Sequence, residues 1–101
     1  MNPKMKSLLG LARKAGKIYS GESQVEALLK KKKGDLVIIA EDSRSALTKF
    51  EKWSQELKIP IIIGGSKEEL GSSLGISPRS IVLIADKGFA EAIIKERDNT
   101  I

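Results

Sequence analysis

Between Gly16 and Lys33 the chain reads GKIYSGESQVEALLKKKK, a basic turn leading into a helix begun by glycine and small polar residues. The first turn of a helix presents unpaired N–H groups and a partial positive charge, so it attracts anions, and small residues let them approach closely. Gly21 and Glu22 open that turn, and Ser23 and Gln24 add donors and acceptors suited to base edges. Lys14, Lys17 and Lys30 to Lys33 supply cations for the phosphates of a polyanion lying across it. The chemistry is recognition, not reaction. A plain amphipathic helix accounts for part of the same pattern, with Val25, Leu28 and Leu29 as its buried stripe and the lysines complementing its C-terminal dipole.

Charge distribution favours the binding reading. Residues 1–33 carry nine Lys/Arg against Glu22 and Glu26, a net of +7, while residues 34–101 carry nine against eleven Asp/Glu, a net of −2. A molecule polarised in this way calls for a phosphate-rich partner, nucleic acid first and membrane headgroups second.

Composition removes most catalytic chemistry. There is no cysteine and no histidine, hence no thiol nucleophile, no thiolate metal site and neither the commonest general base nor the commonest transition-metal ligand. No calcium-loop spacing is present. The expectation is no enzyme, no cofactor and no metal. The 101 residues suit one domain, residues 1–101, with a single modest core. No apolar run approaches the roughly 20 residues that span a bilayer, which predicts a cytoplasmic protein with no membrane partner.

The elements that must position these residues alternate. Asn2 and Pro3 read as N-cap and first residue of a helix whose apolar face is Leu8, Leu9, Leu11 and Ala12. Ile18 and Tyr19 suit a very short strand, and the lysine-ended helix runs from about Gly21 to Lys33, stopped by Gly34. Leu36 to Ala40, Ile59 to Ile63 and Ile81 to Ala85 read as strands buried on both faces. Asp42 or Ser43 caps a helix with Ala46, Leu47, Phe50, Trp53 and Leu57 at helical spacing. Ser66 to Glu69 reads as a capping box for a short helix ending at Gly71 or Gly75, and Phe89 to Ile94 lie in the last helix. The order αβαβαβαβα with short connections predicts a three-layer α/β/α sandwich around a mixed four-stranded sheet.

Other motifs are weaker. Gly64-Gly65-Ser66-Lys67 lacks the spacing of a phosphate loop. Glu41, Asp42 and Asp86 at strand ends read as helix caps in preference to a metal site or a base. Trp53, spaced with Phe50 and Leu57, belongs to the core, and so few aromatics make base stacking on the sheet a poor fit. The segment GISPRSI, Gly75 to Ile81, is a proline-stiffened loop whose apolar residues can pack on an unstacked base while Arg79 meets phosphate. Alternatively Ile76 caps the core and Pro78 fixes a turn.

KAGKIYSG, then LVIIAED, then IPIIIGGSKEELGSSLGIS follow in an order and spacing that resemble the ribosomal protein L7Ae/L30e family over most of the chain, from about Leu8 to Ala85, and its short bacterial members in particular. The resemblance implies an α/β/α protein that binds kink-turn RNA, placing the start of its second helix and a hydrophobic loop into a sharp bend with tandem sheared G·A pairs. Carried over by position, it implies RNA contacts from Gly21, Ser23, Gln24 and Lys31, backbone contact from Lys67, and a hydrophobic loop of Ile76, Ser77, Pro78, Arg79 and Ile81. Many members have Asn-Glu where this chain has Ser23-Gln24 and lysine at Ala27, and some have Arg-Pro where it has Pro78-Arg79. Losing one charged base contact weakens discrimination by about 1–3 kcal/mol.

The reading is therefore a non-catalytic, monomeric RNA-binding protein that recognises kinked or bulged RNA, ribosomal or ribosome-associated, with other ribonucleoprotein components as further partners. The alternative is a protein-interaction module on the same fold, docking through Glu51, Glu56, Glu68 and Glu69.

Overall fold

The computed structural model describes residues 1–98. In chain order these form α1 (Pro3–Lys14), β1 (Ile18–Ser20), α2 (Glu22–Lys30), β2 (Leu36–Ile39), α3 (Arg44–Leu57), β3 (Ile61–Ile63), α4 (Lys67–Ser73), β4 (Ile81–Ile84) and α5 (Lys87–Asp98). The strands make one sheet in the order β1-β4-β2-β3, with β2 and β3 parallel and the other pairs antiparallel. The expected three-layer sandwich with a mixed sheet is what the chain adopts. Residues 99–101 of the expected domain lie outside the described residues.

Every residue of β2 and β4 is buried, because successive side chains of each strand enter opposite layers. Leu36, Ile38, Val82 and Ile84 join Met5 and Leu9 of α1, Leu70 of α4 and Ala90 and Ile93 of α5. Val37, Ile39, Ile81 and Leu83 join Val25 and Leu29 of α2 and Ala46 and Phe50 of α3, with Trp53 packed alongside. Asn2 caps α1 by accepting from the Met5 N–H at 2.8 Å, and Asp86 caps α5 by accepting from the Phe89 N–H at 2.8 Å.

Three expectations are corrected and one is decided between its alternatives. Leu11 is 54% exposed, because the buried stripe of α1 runs through Met5, Leu9 and Ala12. β3 is an edge strand with Ile63 53% exposed, so its isoleucine run is not buried on both faces. Of Asp42 and Ser43, Ser43 holds the position before α3, its carbonyl accepting from the Leu47 N–H at 3.1 Å, while the Asp42 carboxylate accepts from the Lys67 N–H at the start of α4 at 3.0 Å. Finally, α2 ends at Lys30, before three of the four lysines. The N–H groups of Lys32 and Lys33 bond to the carbonyls of Leu29 and Leu28 at 2.9 and 3.0 Å, closing a Schellman turn with Lys32 at φ 57°.

The register defines two ends of the sheet. β1, β2 and β3 all finish at one end, where β4 begins, and α2, α3 and α4 all start there. This end is called the head. At the opposite end, the foot, lie the starts of β1, β2 and β3, the end of β4 and the start of α5.

Candidate nucleic-acid interface

β1 is three residues long, yet it brings together the two segments singled out in the sequence. Ser20 pairs with Val82, and the Gly21 N–H donates to the Ile81 carbonyl at 3.1 Å. The start of α2 thereby lies beside the loop that delivers the chain into β4. Gly21 takes φ 93°, a conformation that favours glycine, and makes no side-chain cap on α2. The first-turn N–H groups of α2 therefore lack a side-chain partner and stand beside exposed Ser23 and Gln24 and half-buried Glu22.

The loop from Gly75 to Ser80 is built to hold its shape. The Ile76 N–H donates to the Gly71 carbonyl at 2.9 Å, and the Arg79 N–H donates to the Lys67 carbonyl at 3.0 Å. A Cβ on Gly71 would sit 2.2 Å from the Ser77 carbonyl oxygen and 2.8 Å from Pro78 Cα, so the loop rests directly on helix backbone. The guanidinium of Arg79 then fastens the loop to β1. Its Nε donates to Ser20 Oγ at 3.2 Å, and its Nη1 donates to Ser77 Oγ, Ser77 O and Pro78 O at 2.7, 3.1 and 3.1 Å.

Ser77 and Pro78 are exposed at the tip, and exposed Lys67 begins α4 beside them. Ile76 is partly buried against the core of α1, α4 and α5, which is the packing role weighed against RNA contact in the sequence. Ile81 is corrected: it is 0% exposed inside β4, facing α2 and α3, and offers no surface to a partner. Arg79 fastens the loop through Nε and Nη1, which leaves its Nη2 without a protein partner among the described residues.

The lysines are distributed otherwise than the sequence order suggests. Lys17 sits at the foot, its carbonyl accepting from the Ala85 N–H at 2.8 Å, about 13 Å of strand from Gly21. Lys14 ends α1 just before it. Nine residues of α2, about 13 Å, carry Lys30 and Lys31 towards the foot as well. Lys30 lies 3.7 Å from Glu26, which also bonds Lys49 of α3 at 3.0 Å. The Lys49 hydrogen bond holds the Glu26 carboxyl below its ordinary range, and Glu26 in turn raises Lys49. Lys30 thus belongs to a bridge between helices. At the head the starts of three helices, each worth about half a charge, together with Lys67, Arg44 and Arg79, roughly balance Glu22, Glu41, Asp42 and Glu68.

Ser20, Gly71 and Asp42 complete this end, and none was singled out in the sequence as part of it. Only Gly71 left a signal, since a glycine inside a helical run costs about 1 kcal/mol against alanine and so asks for a packing reason.

Comparison with known proteins identifies the family. The chain is 35% identical over 92 residues to the RNA-binding protein YlxQ of Bacillus subtilis, covering 90% of this chain and 92% of that one. It is 29% identical over 97 residues to the large ribosomal subunit protein eL8 of Thermoplasma volcanium, covering 94% and 80%. A protein of unknown function from Bacillus halodurans superimposes with a TM-score of 0.92 at 28% identity, over 97% of this chain and all of that one. A Giardia lamblia 15.5kD RNA-binding protein shares the fold with a TM-score of 0.81 at 20% identity, over 100% and 93%. The model of the ribosomal protein L7Ae/L30e/S12e/Gadd45 family matches residues 3–94, and the chain belongs to that family.

Proposed function

We propose that this chain is a non-catalytic RNA-binding protein that recognises a kinked or bulged RNA of the kink-turn type. The observation that carries the reading is the fastening of two jaws at the head: Arg79 Nε to Ser20 Oγ at 3.2 Å, and Gly21 N–H to Ile81 O at 3.1 Å. One jaw is the open first turn of α2 with Ser23 and Gln24; the other is the rigid loop of Ile76, Ser77 and Pro78. Between them a bent backbone meets N–H groups and helix dipoles, and a splayed base meets Pro78 and the part of Ile76 that the core leaves uncovered. Lys67 lies beside the loop for a flanking phosphate. Recognition of this kind reads shape first, with Gln24 as the neutral substitute for a charged base contact. The protein works as a monomer, as part of a larger ribonucleoprotein.

The test is a titration against a kink-turn RNA and against a control whose G·A pairs are replaced by Watson–Crick pairs, each at two salt concentrations. The kink-turn RNA is expected to bind at least about tenfold more tightly, a difference of about 1.4 kcal/mol. Equal affinity for both RNAs at both salts refutes shape recognition by the jaws.

A further inference from the structure

The foot of the molecule carries a feature that the jaws do not use. A cleft of about 410 Å³ opens there, with Lys32, Lys58 and Lys87 on its walls, Asp35 and Glu91 between them, and an apolar floor that includes Ile94. Lys31 and Lys33 flank it, and all five lysines are exposed. Among the described residues none of these five has a carboxylate within 4.0 Å.

Helix stability does not explain this arrangement. The C-terminal ends of α2 and α3 each present about half a negative charge, which one lysine apiece satisfies. Lys87 is the first residue of α5, where a cation opposes the dipole, and no acidic residue occupies that first turn. Lys32 and Lys58 both take φ 57°, the left-handed conformation that glycine adopts without strain. The chain uses glycine for the same turn after α1 and α4, at Gly16 (φ 71°) and Gly75 (φ 72°). After α2 and α3 it accepts backbone strain and keeps the charge, and both strained lysines line one cleft. Strain held in this way points to function.

The ligand's chemistry follows from the walls. Three successive lysines on a turn, with two more across the cleft, suit phosphates spaced along a strand better than one compact anion. Asp35 and Glu91 oppose a lone phosphate inside the cleft but accept hydrogen bonds from ribose 2′-hydroxyls, which only RNA supplies along its backbone. We propose that the foot is a second RNA-binding face, and that the protein holds one RNA segment in its jaws and a second one here. The molecule measures 30 × 28 × 26 Å, so the two segments lie on opposite sides of it. This inference rests on the RNA-binding reading but not on kink-turn recognition.

The experiment uses the full chain, a fluorescent 16-base-pair RNA duplex without internal loops, and an unlabelled kink-turn RNA. The wild-type protein is expected to bind the duplex and to keep it when one equivalent of kink-turn RNA is bound. The variant Lys32→Gln/Lys33→Gln/Lys58→Gln/Lys87→Gln is expected to bind duplex at least about tenfold more weakly, with a log–log salt slope shallower by roughly 3. Its affinity for kink-turn RNA stays within about threefold, whereas Ser23→Ala/Gln24→Ala shows the reverse pattern. If kink-turn RNA does not bind at all, the jaw reading fails and the duplex measurement still decides this one. Duplex binding by the lysine variant within about threefold of wild type overturns the proposal, as does displacement of the duplex by a single equivalent of kink-turn RNA. Tighter binding to phosphatidylglycerol vesicles than to duplex overturns it in favour of a membrane surface.

Discussion

Gly71→Ala sets two well-defined effects against each other. In an open helix the change gains up to about 1 kcal/mol, because alanine is the better helix former. At Gly71 the new Cβ would lie 2.2 Å from the Ser77 carbonyl oxygen, 2.7 Å from Ser77 C and 2.8 Å from Pro78 Cα, and these are backbone atoms that cannot rotate away. Reaching an ordinary separation of 3.4 Å requires the loop to retreat by about 1.2 Å. That movement breaks or strains the Ile76–Gly71 and Arg79–Lys67 backbone bonds at 2.9 and 3.0 Å and the Arg79–Ser20 bond at 3.2 Å. Each is worth about 0.5–1.5 kcal/mol net, and overpacking typically costs about 1–3 kcal/mol. Destabilisation by about 1–3 kcal/mol is expected, a fall of about 4–8 °C in thermal midpoint per kcal/mol.

Gly10→Ala is the internal control. It too lies inside a helix, α1, but its Cβ would meet the Ser73 carbonyl oxygen at an ordinary 3.5 Å. It should leave the midpoint unchanged or raise it. Thermal melts followed by circular dichroism measure both variants, and RNA titration reports the position of the loop. Gly71→Ala is expected to weaken kink-turn RNA binding at least about tenfold, because 1 Å of misplacement at a binding loop is large. A midpoint equal to or above wild type, together with unchanged RNA affinity, would show that the loop does not depend on its seat on α4.

Arg79→Ala should weaken kink-turn RNA about tenfold without changing the salt slope, whereas a phosphate ligand would reduce it by roughly 0.7–0.9; titration at several salt concentrations decides. Gln24→Glu is expected to tighten binding to RNA with tandem G·A pairs by about 1–3 kcal/mol, and no gain in a direct titration refutes the role given to position 24. Lys32→Gly relieves a left-handed lysine but makes the unfolded chain more flexible, so stability should stay within about 1 kcal/mol of wild type. Its affinity for plain RNA duplex should fall nonetheless, as equilibrium titration would show. The Glu69 carboxyl is held below its usual value of 4.5, first by the Ser66 N–H and then by the Met1 ammonium. The unfolded chain therefore takes up protons in the acid range that the folded chain does not, so stability falls as pH drops through and below that value. Glu69→Gln should lower the midpoint at neutral pH and flatten its decline on acidification, measured by melts from about pH 7 to about pH 3.

Leu36 to Ile39 and Ile81 to Ile84 were legible as buried strands because both layers demand apolar residues, which leaves an unbroken run with no polar alternation. Caps at Asn2, Ser66 and Asp86 were legible because a short oxygen-bearing side chain before a helix has few other uses. The run at Ile61 to Ile63 misled, since composition does not say whether a strand has neighbours on both sides. The end of α2 misled because left-handed lysine carries no sequence signal, unlike Gly34 two residues later. The two jaws were found as segments, but their fastening was not. An arginine that grips its own protein and one that awaits phosphate look alike in sequence. The placement of lysines at the foot was hidden for a related reason: position along the chain does not reveal which end of a strand a residue occupies.

β4 has one further consequence, for synthesis. It lies between β1 and β2, yet it is the last strand to leave the ribosome. Until it inserts, β1 has no neighbour, Ser20 has no arginine to hold, and the first turn of α2 has no loop beside it. A nascent chain or proteolytic fragment that stops before Arg79 therefore carries most of the basic residues and none of the assembled head. On the proposed reading it can cling to RNA by charge, but it has no means of telling one RNA shape from another. On that reading selectivity arrives only when the last strand closes the sheet.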